Sequence, residues 1–200
     1  MFAALTGAGL SAAAGLNAYI PFLMVALVAR FSDVITLPAS FAWIESPWAI
    51  AGAAVLLVAE VILDKIPAID SMNDLIGTAV RPTIGGVVFA ATQSAEDLDK
   101  TTWMQDHPWV GAIGGVVIAG LVHTTKAAIR PAVNVSTAGI GAPVISGVED
   151  VASIGLSISA VFLPILVIGA FVLMIWAVWA LRRRLRRLKR RRRGGVSQPA

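Results

Sequence analysis

Cysteine is absent from the 200-residue chain, which removes disulfides, thiolate nucleophiles and cysteine-ligated metals. Charge is scarce as well. Only 14% of residues are Asp, Glu, Lys or Arg, against about 25% in an ordinary soluble domain. No Lys or Arg precedes Arg30, so the amino-terminal apolar stretch has no positively charged n-region. Cleavage as a signal peptide is therefore not expected, despite the small residues of Ala12-Ala-Ala-Gly-Leu-Asn-Ala18. His107 and His123 are the only histidines, and a pair so separated makes no zinc site. Metalloprotease, P-loop, nucleophile-elbow and dinucleotide fingerprints are all missing. These absences argue against an enzyme and imply no metal and no cofactor.

What the chain has instead is apolar length. Hydrophobic residues make up 57% of it, and the mean hydropathy is +0.80. A hydrocarbon slab of about 30 Å is crossed by about 20 apolar residues in a helix. Phe2 to Val28 forms one uncharged run, and Val151 to Leu181 forms another, long enough to tilt or to continue outside the lipid. An all-α, polytopic transmembrane bundle is the expected fold. The formal charge of +4 hides an asymmetry, because ten of the sixteen basic residues lie between Arg182 and Arg193. The remainder sets six basic residues against twelve acidic ones.

Three prolines recur at a spacing of 61 residues: Pro21, Pro82 and Pro143. At the same offset Glu45-Ser-Pro-Trp48 becomes Asp106-His-Pro-Trp109, Lys65 matches Lys126, Asn73 matches Asn134, and Gly86 matches Gly147. A fixed period of this kind marks an internal repeat. It suggests a helical hairpin used two or three times, over residues 5–65, 66–126 and 127–181; the third copy lacks the Pro-Trp pair. The three prolines are expected to kink their helices.

About six helices are expected, near residues 3–29, 47–64, 74–92, 108–126, 132–149 and 151–181. The third and fifth carry Arg81, Pro82, Asn134 and Pro143, so they read as broken spans inside the bundle or as re-entrant hairpins. Six spans with a cytoplasmic carboxyl terminus put Lys65, Lys126, Arg130 and the arginine tail on one side, and the positive-inside rule favours that arrangement. The expected location is the plasma membrane, with the carboxyl terminus in the cytoplasm. Repeats of even span number would be parallel, related by an axis along the membrane normal. Residues 1–181 then form the transmembrane domain and 182–200 a basic cytoplasmic tail. In that tail Leu181, Leu185 and Leu188 share a helical face, as in a helix leaving the bilayer along its surface. Basic residues there attract anionic lipid at about 1 kcal/mol each. No aromatic interleaves with the arginines, so nucleic acid is not the expected partner.

Ionisable groups at membrane depth are costly and mark candidate sites. Glu60 lies about one turn inside the second expected helix, and His123 about one turn inside the fourth. Arg81 lies roughly 9 Å into the third at 1.5 Å per residue. The three would share a layer in the inner half of the bilayer. Glu60 and Arg81 would neutralise each other, and His123 could exchange protons near neutral pH. The alternative is that Glu60 and Arg81 snorkel toward headgroups and His123 bonds a neighbouring helix. Glu149 and Asp150, expected between the last two helices near the outer face, read either as a second cation site or as a cap in which Asp150 precedes Val151. Asn17 and Asn134 read as interhelical hydrogen-bonding residues or as part of a pathway. Trp48 and Trp109 read as interfacial anchors. The small-residue pairs Gly111/Gly115 and Gly7/Ser11 suit close helix packing and permit a homo-oligomer equally well.

Several of these stretches together resemble a bacterial membrane family known as domain of unknown function 4126. They are Gly15-Leu-Asn-Ala-Tyr-Ile-Pro21, Ser46-Pro-Trp48, Glu60 with Asp64-Lys-Ile-Pro67, Asp70-Ser71 and Val80-Arg-Pro82. His123 with Lys126, Asn134-Val-Ser136 and Glu149-Asp150 complete the set. The resemblance runs from about residue 10 to 180 and implies a multi-pass membrane protein without implying a substrate. Its motif residues coincide with Glu60, Arg81, His123 and Asn134. The expectation is a small transporter or channel with a polar inner-leaflet cavity; the alternative is a non-transporting scaffold or lipid-binding protein anchored by its tail.

Overall fold

The computed structural model describes residues 2–95, 103, 106–137 and 141–194, with the side chains at 67–71, 132, 134, 177, 178, 181, 182 and 184–194 outside that description. Every regular element among the described residues is helical. In chain order they are α1 (Phe2–Leu16), α2 (Tyr19–Phe31), a 3-10 helix (Ala39–Glu45), α3 (Pro47–Leu63), α4 (Pro67–Gln93), α5 (Pro108–Ser136), α6 (Gly141–Phe162) and α7 (Ile165–Gly194). Met72–Gln93, Pro108–Pro131 and Gly141–Phe162 are long and apolar enough to cross a membrane. The 3-10 helix and α3 add a fourth candidate, bent by 53° at Ser46. The chain is accordingly read as a membrane protein.

Helix boundaries depart from expectation at three places. The first apolar run, expected as one helix over 3–29, breaks at Asn17-Ala18. The cause is Asn17, whose Oδ1 accepts from the backbone N–H groups of Tyr19 (3.1 Å) and Ile20 (3.2 Å) and so starts a new helix. The expected boundary between residues 149 and 151 falls inside α6, so Asp150 caps nothing. The chain turns instead at Leu163-Pro164, where a proline stands just ahead of α7. Finally, Pro21 and Pro143 are each the third residue of a helix, α2 and α6. A first-turn N–H has no intrahelical partner to lose, so these prolines begin helices and do not kink them. Pro82 alone of the three lies inside a helix, α4.

Two starts follow expectation. Proline occupies the first position of α3 and of α5. Ser46 Oγ caps α3 by accepting from Ala49 N at 3.2 Å. Trp48 and Trp109, next in line, are 86% and 58% exposed, as interfacial residues should be.

The chain divides into two compact units, residues 1–167 and 168–200. In the first, α1, α4 and α5 form the centre, and α6 packs on α1. Small residues let the backbones meet. A Cβ built on Gly85 would lie 2.5 Å from Ala119 Cβ, and one on Gly115 would strike the backbone of Gly85. Gly86 faces the Ala112 carbonyl, Gly7 faces the Phe89 ring, and Gly15 faces Val122. Ser11 Oγ lies 2.7 Å from the Gly7 carbonyl and 2.9 Å from that of Gly85, tying α1 to α4. Such contacts suit a lipid-exposed bundle, where tight van der Waals packing replaces a hydrophobic driving force between helices. Large apolar side chains point outward along these helices, among them Val55, Ile62, Leu75, Ile113, Leu121 and Val148. The second unit is the remainder of α7, apolar through Trp176. The Arg183 guanidinium sits over the Trp179 ring at 5.1 Å.

Candidate functional site

Polar side chains inside an apolar bundle must find partners, because water is absent to receive them. Here they find one another. Glu60 and Asp64 come from the end of α3; Asp74, Thr78 and Arg81 lie one above another on α4; His123, Lys126 and Arg130 do so on α5; Glu149 and Asp150 come from α6. The first three sets have the three- and four-residue spacing of a single helical face, while Glu149 and Asp150 are adjacent.

Arg81 is the centre and has no exposed surface. Its Nε and Nη2 donate to Glu60 Oε1 at 3.3 and 2.8 Å. Its Nη1 donates to Asp74 Oδ1 at 3.3 Å and to His123 Nδ1 at 2.9 Å. Asp64 Oδ2 lies a further 3.8 Å from Nη2. The snorkelling alternative is thereby corrected: Arg81 and Glu60 pair inside the protein, with Glu60 only 7% exposed.

The hydrogen bonds also fix the state of His123. An arginine only donates, so Nδ1 must be the accepting nitrogen and the ring carries its proton on Nε2. That proton meets Thr78 Oγ1 at 3.1 Å, and Thr78 passes its own to the Asp74 carbonyl at 2.9 Å. His123 therefore acts here as a neutral acceptor that holds Arg81.

A second group adjoins the first. Lys126 Nζ reaches Glu149 Oε2 at 2.9 Å and Asp64 Oδ2 at 3.9 Å. It also donates to the Leu16 carbonyl at 2.8 Å, satisfying the end of α1. Arg130 donates to Glu149, with Asp64 at 3.3 Å and Asp74 at 3.5 Å. Asn73 Nδ2 donates to Asp64 Oδ1. Asp64 stands just beyond α3. Burial pushes its carboxyl up, but Lys126, Arg130, the Asn73 hydrogen bond and Arg81 outweigh burial and hold it below the ordinary aspartate range.

Glu149 and Asp150 belong to this same layer, not to a separate outer site. Glu149 is held by two cations, and Asp150 Oδ1 accepts from Asn17 Nδ2 at 3.0 Å. Asn17 thus has two roles, capping α2 and binding α6. Among the described residues no three acidic or histidine side chains are grouped to hold a metal ion. Asn134 lies in the last turn of α5, and its side chain is outside the described residues. Sequence reasoning placed Glu60, Arg81 and His123 together, read Lys126 and Arg130 as cytoplasmic-side charges, and met Asp64 only in the family resemblance. It passed over Asp74. The helical spacing with Glu60, Arg81 and His123 was the signal that could have found them.

Between the start of α2, the second half of α3 and the first half of α4 lies a cavity of about 170 Å³. Its walls are Ala18, Leu56, Ala59, Leu63, Ile76 and Val80, with the Tyr19 ring, Gly77, Asn73, Arg81 and Glu60. Glu60 Oε2 is buried and has no hydrogen-bond partner among the described residues. Among the described side chains of this layer the carboxylates Glu60, Asp64, Asp74, Glu149 and Asp150 outnumber the cations Arg81, Lys126 and Arg130.

Described residues that are helical throughout, with apolar candidate spans around a buried charge cluster, define a class, that of α-helical membrane proteins. Within that class the chain belongs to the family described as a domain of unknown function, DUF4126, whose model matches residues 4–184. No curated protein and no solved structure matches it.

Proposed function

We propose that the protein is a small membrane transporter or channel in which Glu60 takes up and releases a proton or small cation. One observation carries this reading: a buried carboxylate oxygen without a partner among the described residues, at a cavity wall, in a layer whose described carboxylates outnumber its cations. Burying unpaired negative charge is expensive, and a bound proton or cation on Glu60 removes the excess. Arg81 then acts as a latch. With Glu60 ionised it stays on Oε1, and with Glu60 neutralised it shifts its weight to Asp74 and Asp64, already within 4 Å. His123 positions Arg81; the proton-exchanging role passes to Glu60 alone.

In this proposal the membrane is crossed six times, by α1 with α2 as one broken span, the 3-10 helix with α3, and α4 to α7. The arginine tail places the carboxyl terminus in the cytoplasm of a bacterial cell, and the charge cluster falls in the inner half of the bilayer. The repeat fits this layout: Pro-Trp opens both α3 and α5, and Pro21 and Pro143 hold the same position in α2 and α6.

The test is proton and cation flux into proteoliposomes under an imposed pH gradient and potential. Glu60→Gln keeps an oxygen for Arg81 and removes the excess charge, so the variant should fold. Flux that the wild type shows and the variant lacks is the expected result. Equal flux in both would sink the assignment.

A further inference from the structure

We propose that the cavity beside Glu60 binds a membrane-dissolved amphiphile carrying a protonated amine, its apolar part between α3 and α4 and its ammonium at Glu60. This rests on the functional reading of Glu60 above and names its substrate class.

Three observations specify the ligand. Charge comes first. The charged donor of the wall is engaged: Arg81 Nε and Nη2 go to Glu60 and Nη1 to Asp74 and His123, while Asn73 Nδ2 donates to Asp64. What remains unpaired is an acceptor, Glu60 Oε2, on a side chain 93% buried by its 7% exposure. A positive donor complements it. Metal ions fit poorly. Hard cations take six or more oxygens, and no such grouping exists among the described residues. An ammonium needs few partners, because its hydrogen bonds and charge are satisfied by a carboxylate and an aromatic face.

Shape and access come next. Apart from its polar end the wall is aliphatic, with Ala18, Leu56, Ala59, Leu63, Ile76 and Val80 beside the Tyr19 ring. A volume of about 170 Å³ holds more than a proton or a bare ion. Leu56 and Ile76, on opposite walls, are 49% and 60% exposed, and Val55, Val58, Ile62, Met72 and Leu75 beside them face outward as well. The rim is therefore apolar on both helices, which matches entry from the hydrocarbon rather than from water. An amphiphilic cation lays its apolar stem along such a surface and keeps its charged head at a polar partner, here Glu60.

The test uses full-length protein in phosphatidylcholine nanodiscs and radiolabelled decylammonium, with empty nanodiscs subtracted. Wild type should bind saturably at one site. Glu60→Gln should weaken binding at least tenfold, and so should Leu56→Trp, which fills the cavity without touching the charge cluster. Decyl sulfate should not compete, and methylammonium should compete only at far higher concentration. Non-saturable uptake, unchanged binding in both variants, or competition by decyl sulfate would overturn the proposal. Competition by methylammonium equal to that of unlabelled decylammonium would overturn the lateral apolar route. Glu60-dependent proton flux without amine binding overturns this inference and leaves the transport reading standing; saturable binding without any flux does the reverse.

Discussion

Arg81 gathers three carboxylates and a histidine, so its removal should cost more than any surface change. Arg81→Met would leave Glu60, Asp64 and Asp74 facing one another in a buried layer. Breaking a buried ion network from one side typically costs about 3–5 kcal/mol. Thermal unfolding in detergent should show a large drop for Arg81→Met and a partial rescue by Arg81→Lys, since lysine cannot reproduce the fork that holds Glu60 through two nitrogens. An unchanged melting temperature for Arg81→Met would contradict the central role given to it. Asp64 makes a pH prediction with a definite sign. Its folded carboxyl sits below the unfolded one. Its stabilisation is thus complete above the ordinary aspartate pKa of about 3.9 and is lost as pH falls through the lowered folded value. Acid titration of stability should therefore be shallower for Asp64→Asn than for the wild type, and the variant should be less stable at neutral pH. At this scale much was legible. Energetic cost alone singled out Glu60, Arg81 and His123, because few charges enter apolar runs without a reason. The role of His123 was not legible, since only the direction of the Arg81 hydrogen bond shows that its Nδ1 lone pair is occupied.

Among the helices, the closest approach is between α4 and α5, where Gly85 and Gly115 meet backbone to backbone. A side chain there must displace a helix and not merely a neighbouring rotamer. Gly115→Leu should destabilise the bundle by at least the roughly 1–3 kcal/mol typical of overpacking. Gly147→Leu is the matched control: it lies on α6, where a Cβ would meet nothing within 4 Å, and should be near neutral in the same unfolding assay. Equal effects would mean that the crossing is not what the glycines serve. Helix existence was readable from apolar run length, and the starts at Pro47 and Pro108 from the Pro-Trp pairs. Boundaries were less so. Nothing in the run Phe2 to Val28 announces a break, because Asn17 breaks it only with its other end anchored on Asp150, 133 residues away. Pro21 and Pro143 misled for a related reason. A proline in an apolar run reads as a kink until the preceding break is known, and then it reads as a first turn.

Two concentrations of charge stand out along the chain, one inside the bundle and one in the tail. Inside, opposite signs are interleaved within hydrogen-bonding distance, and the surplus is negative. In the tail ten basic residues follow one another between Arg182 and Arg193 with only Leu185 and Leu188 between them. Self-repulsion of such a run is relieved by anionic lipid, so orientation and surface attachment suit it better than catalysis. This separation discriminates between transport and a scaffold or lipid-binding role. The described contacts of the Glu60 cluster all lie between residues 16 and 150. If the cluster is the working part, the truncated protein that does reach the membrane should keep its flux per molecule in proteoliposomes, while its abundance or orientation in cells declines. If the tail is the working part, sedimentation with vesicles containing anionic lipid should fall sharply on deletion and Glu60→Gln should leave it unchanged. Flux that disappears with the tail, in vesicles where the truncated protein is shown to be folded and inserted, would place the essential chemistry outside the bundle and remove the basis for a pathway through Glu60.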